Sequence, residues 1–63
     1  MIYDNIRYLC DTFGISLNYL ESQVGLGMNT IHKWKSVRPR VDTMQRVADF
    51  FGFPVDWFLR EHK

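Results

Sequence analysis

A chain of 63 residues, 46% of them hydrophobic, is too short to hold a second domain and too apolar to stay disordered, so one small core is expected. No apolar run approaches the ~20 residues a membrane span needs. The start has no basic segment followed by an apolar one, which predicts no signal peptide and a cytoplasmic location. The formal net charge of only +1 means that any function based on charge must come from how the charges are distributed.

Taken in chain order, Ile2, Ile6, Leu9 and Phe13 recur every three or four residues, which predicts a first amphipathic helix ended by Gly14. Ser16 is a good N-cap for a second helix with Leu17, Leu20 and Val24 on its apolar face. Gly25 stands where the last turn needs a left-handed residue, and Leu26 plugs the corner that follows. Gly27 is a permissible cap for a third helix over about 28–35, with Ile31 and Trp34 facing inward and Met28, Asn29, His32 and Lys33 outward. Pro39 blocks its continuation. Val41, Met44, Val47, Ala48 and Phe51 form the stripe of a fourth helix, with Asp42 near its N-terminus and Gly52 as its stop. Pro54 suits an early position in a fifth helix, whose Val55, Phe58 and Leu59 close the core. The fold expected is all-α, a compact bundle of five short helices.

From Gly14 to Lys35 the chain reads as two short helices hinged on Gly25, the second ending in cations, which is the layout of a DNA-reading helix-turn-helix. The segment resembles the helix-turn-helix of the Cro/C1-type phage repressors, also called the XRE family, and the resemblance spans nearly the whole chain. Ile6, Arg7 and Leu9 match the first family helix, and Gly25, Thr30, Ile31 and Trp34 match the turn and core of the motif. Arg38 and Pro39 match the basic loop, Thr43 to Gly52 the fourth helix, and Val55 to Leu59 the fifth.

The resemblance implies a single lambda-repressor-like DNA-binding domain over residues 1–63, with a recognition helix at about 28–35. It further implies a homodimer acting as repressor or regulator of a phage, prophage or mobile-element switch in the bacterial cytoplasm or nucleoid. The partner would be double-stranded DNA carrying a palindromic operator. Met28, Asn29, His32 and Lys33 would face base edges, while Thr30, Lys35, Ser36, Arg38 and Arg40 would grip phosphates.

Three positions depart from the family pattern. Leu17 replaces the usual glutamine that touches a phosphate, and Gly27 replaces a serine or threonine cap. Glu21 stands where a small alanine normally lets two helices approach. Its carboxylate is expected either to open that crossing or to run along the rim toward Lys33 or Lys35, so that Glu21→Ala would leave the fold unaffected or stabilise it.

The charge distribution fits a polyanionic partner. Between Glu21 and Asp42 there is no carboxylate, yet Lys33, Lys35, Arg38 and Arg40 all lie there, and the rest of the chain is net acidic. Other chemistries find little support. Ser16, Ser22 and Ser36 read as cap or surface residues without a catalytic constellation, so no enzyme is expected. Gly25 and Gly27 lack the remainder of a phosphate loop, and no Cys/His spacing fits zinc, so neither cofactor nor metal is expected.

The single Cys10 reads as an inert thiol, and His62 as part of a polar tail. A small-molecule effector is not expected in so short a chain. Five of the ten aromatics, Phe50, Phe51, Phe53, Trp57 and Phe58, crowd the C-terminal end. Phe51, Phe53 and Phe58 suffice for packing, which leaves Phe50 and Trp57 as candidate dimer-interface residues. The same surface suits the alternative reading, a protein–protein interaction module, as in an anti-repressor or assembly subunit, that kept the fold and lost DNA affinity.

Overall fold

Helix α1 (Ile2–Phe13) forms where the apolar spacing predicts it, and its buried stripe is Ile2, Asn5, Ile6, Leu9 and Cys10. A computed structural model describes residues 2–60; His62 lies outside the described residues. Phe13, expected to extend the stripe, is instead 52% exposed, because the last turn of α1 overhangs the core and its ring meets only the edge of Phe51. Asn5 is the one polar member. Its Nδ2 donates to the backbone oxygens of Phe58, at 2.9 Å, and of Arg60, tying α1 to the end of the chain's last helix.

Helix α2 (Leu17–Gln23) starts as the sequence predicts, with the Tyr19 amide donating to Ser16 Oγ at 3.0 Å. It ends at Gly25, whose φ of 75° is the left-handed value that the turn requires, and the Leu26 amide closes the turn by donating to Glu21 O at 2.8 Å. Arg46, from further along the chain, clamps the same corner. Its Nη2 donates to Val24 O at 2.6 Å and Gly25 O at 3.2 Å, neutralising carbonyls at the negative end of α2. Arg46→Ala is expected to lower stability by about 1 kcal/mol, read as a lower urea midpoint with an unchanged slope.

The third element differs most from expectation. In place of an α-helix over 28–35 there is a turn followed by a 3-10 helix at Ile31–Lys35. The cause is Glu21. Only 2% exposed, it neither opens the helix crossing nor follows the rim toward Lys33 or Lys35. Its Oε1 accepts from the Asn29 amide at 3.0 Å and its Oε2 from the Ile31 amide at 2.9 Å. Drawing both amides onto one carboxylate places Asn29 at φ 65°, a left-handed conformation that asparagine tolerates better than most residues.

A helix cannot run through Asn29, and Gly27 is therefore not its cap. The Gly27 carbonyl instead accepts the Thr30 hydroxyl at 2.7 Å and the Thr30 amide at 3.2 Å. Few residues remain before Pro39, and they wind tightly. The Lys33 amide donates to Thr30 O and the Ser36 amide to Lys33 O, three residues back in each case.

Helix α3 (Val41–Phe51) buries Met44, Val47, Ala48 and Phe51 and ends on Gly52 as expected. Val41 does not join that stripe; at the first helical position it projects beyond the core and is 77% exposed. Helix α4 (Val55–Leu59) inserts Phe58, with Pro54 just before the helix rather than within it. Leu59, expected in the core, is 44% exposed; as the last residue of a five-residue helix it is turned about 100° away from the buried Phe58.

Four α-helices and one 3-10 helix thus replace the five helices expected, and no strand occurs among the described residues. Helix α1 is the central support, packing on α2, the 3-10 helix and α4, while α3 packs on α4. The whole measures 25 × 24 × 19 Å. Cys10 is fully buried, and that burial pushes its thiol up to about 11, far from a reactive thiolate at neutral pH. No described helix is long and apolar enough to cross a membrane.

Candidate nucleic-acid interface

With about three residues per turn, a 3-10 helix stacks positions i and i+3 on one face. Ile31 and Trp34 accordingly share the inner face, Ile31 fully buried and Trp34 half-buried against the core. His32 and Lys35 share a second face, and both meet Tyr3 of α1. The His32 and Tyr3 ring centroids lie 5.9 Å apart, and Lys35 Nζ sits 4.8 Å from the centre of the Tyr3 ring. The third face carries Lys33 between Thr30 and Ser36.

The tight winding redistributes the residues assigned to base reading. Met28 (78% exposed) and Asn29 lie in the turn, His32 leans on Tyr3, and Lys33 projects from the outer face. They do not form one helical stripe. Among the residues assigned to phosphate, Thr30 is half-buried with its hydroxyl committed to Gly27, and Ser36, Arg38 and Arg40 are exposed. Arg40 Nε lies 3.9 Å from Asp42 Oδ1, a long and strongly solvated pair. Among the described residues, Lys33, Lys35 and Arg38 have no carboxylate within ion-pair distance.

Glu21 adds no exposed carboxylate to the cations at this end of the molecule. Both of its oxygens turn inward onto backbone amides, so the outer surface from Met28 to Arg40 presents cations and polar groups with no exposed carboxylate of its own. Those amides are in turn unavailable to an external anion. The side chains at this end able to contact a polyanion are chiefly Lys33, Lys35, Arg38 and Arg40.

A groove of about 510 Å³ separates the start of α1 from the loop after the 3-10 helix. Ile2, Tyr3 and Asp4 form one wall, and Trp34 to Arg38 form the other. Sequence reasoning missed the contribution of α1. Arg7 Nη1 lies 3.5 Å from the Tyr3 hydroxyl as donor, and Arg7 Nε lies 3.5 Å from Asp11 Oδ1. The hydrogen bond to Tyr3, and then the charge of Asp11, raise the guanidinium pKa of Arg7 above its ordinary value. The spacing of Tyr3, Arg7 and Asp11 along one helical face was legible, but the meeting of that face with His32 and Lys35 is tertiary.

Comparison with protein-family models, with curated proteins and with solved structures finds no match to this chain. Among the described residues no group of histidine, cysteine and acidic side chains is placed to hold a metal ion. At the C-terminal end, Trp57 is half-buried and packs edge-on against Phe53 and Phe58, with both pairs of ring centroids 5.1 Å apart. It contributes to the chain's own aromatic cluster. Phe50 is 38% exposed, and both Phe50 and Phe13 stand edge-on to Phe51.

Proposed function

We propose that this chain is a helix-turn-helix DNA-binding domain of the Cro/C1 type that recognises specific sites in double-stranded DNA and regulates transcription as a homodimer. The observation that carries the reading is the sign of the Met28–Arg40 surface: four cations in an interval without carboxylates, beside a Glu21 whose charge is turned inward. Two further features support it. The α2–Gly25 corner has the capped, left-handed geometry such a motif needs, and Lys33 projects outward from the element after it.

In this reading Lys33 and Met28 approach base edges, and Lys35, Arg38 and Arg40 hold phosphates. Phe50, with Phe13 beside the same Phe51 ring, offers an aromatic surface for pairing two protomers. Arg38→Ala is expected to weaken binding to all sequences alike and to lower the log–log salt slope by about one. An unchanged slope would mean that Arg38 is merely solvated. Selection from a random DNA pool tests the proposal as a whole: enrichment of one imperfect palindrome supports it, and a pool that stays unenriched at low salt rejects it.

A protein-binding module is the second reading. Its support is the brevity of the recognition segment, five residues of 3-10 helix, bordered by exposed Met28, Val37 and Val41. A failed DNA selection would favour it.

A further inference from the structure

Tyr3 of α1 meets the 3-10 helix twice. Lys35 Nζ lies 4.8 Å from its ring centre, and the His32 ring centroid is 5.9 Å away. Three residues per turn bring His32 and Lys35 one above the other, so a single ring serves both. At the far end of the same ring, the hydroxyl faces Arg7 Nη1 at 3.5 Å. Tyr3 itself is half-buried and packed against the core, so it is a fixed post while the cations around it are exposed.

We infer that Tyr3 is a positioning residue for DNA: its ring holds Lys35 at the edge of the α1–3-10 groove, where the ammonium meets a phosphate. The inference rests on the DNA-binding reading. A free lysine side chain samples many rotamers and loses that freedom on binding, whereas one already held over an aromatic face loses less. The attraction is electrostatic and leaves the remaining hydrogens of the ammonium directed outward.

The test is a double-mutant cycle on binding to the selected DNA site, with Tyr3→Leu, Lys35→Ala and the double variant, each first confirmed as folded by circular dichroism. Tyr3→Leu and Lys35→Ala are each expected to weaken binding about five- to tenfold, and the double variant no further than Lys35→Ala alone. Tyr3→Phe keeps the ring and is expected to bind like the wild type, which separates the ring's role from that of the hydroxyl–Arg7 contact. Losses that simply multiply in the double variant overturn the inference, as does tighter binding by Tyr3→Leu, which would show that the ring withholds Lys35 from DNA. Absence of wild-type binding rejects the DNA reading and this inference together, whereas wild-type binding with multiplying losses rejects this inference alone.

Discussion

Glu21→Ala is expected to destabilise the fold by roughly 3 kcal/mol, a large share of the roughly 3–5 kcal/mol that a core of this size supplies. Two charge-assisted hydrogen bonds disappear, to the Asn29 and Ile31 amides, and Ile31 is fully buried. The loss falls on one place, the turn between α2 and the 3-10 helix. Without the carboxylate the left-handed Asn29, at φ 65°, loses the bond to its own amide.

Glu21→Gln is the informative companion. Its amide oxygen keeps one of the two bonds, but its NH2 group confronts the other backbone N–H, so about half the loss is expected. Urea unfolding of the three proteins decides the matter. A midpoint that is unchanged or raised in Glu21→Ala would mean that the carboxylate does not organise the turn.

This position also shows why part of the structure was legible in the sequence and part was not. Helical periodicity, the Ser16 cap and the glycine at position 25 are local signals, and α1, α2, α3 and the hinge follow from them. The effect of Glu21 is not local. A glutamate on α2 reads as a surface residue or a misfit until the chain folds back and brings the amides of residues 29 and 31 to it. The same holds for Arg46, 21 residues from the Gly25 carbonyl it caps, and for Asn5, 53 residues from Phe58.

The candidate site divides along the same line. The cluster of cations was readable because it is contiguous in sequence. The face each cation occupies was not, because the winding of residues 31–35 depends on Glu21, and Tyr3 comes from the other end of the chain. Phe13, Val41 and Leu59 fitted apolar stripes and yet lie largely outside the core, since each sits in an end turn that reaches past its packing partner.

Lys33→Ala is expected to weaken binding to the preferred DNA site by roughly 1–3 kcal/mol, and binding to random DNA much less. Lys33 is the cation on the outer face of the 3-10 helix, with no aromatic ring or carboxylate against it among the described residues, so its ammonium is free to reach the acceptors of a guanine in the major groove. It is a cleaner probe of base reading than Asn29. There, alanine would have to adopt a left-handed conformation that alone costs about 1 kcal/mol or more, so a loss of affinity would mix readout with strain. Competition binding with the preferred site and with scrambled duplex measures the two losses. Equal losses on both would assign Lys33 to a phosphate and leave sequence reading to other residues.

Binding of the DNA backbone by the Met28–Arg40 surface is the step on which the proposed function rests. Fluorescence anisotropy of a labelled duplex, titrated with wild-type protein at several salt concentrations, tests it directly. Phosphate contacts from Lys35, Arg38 and Arg40 predict that log K falls with log salt at a slope of roughly −3 per protomer. Absence of binding at low salt, or a slope near zero, would contradict it.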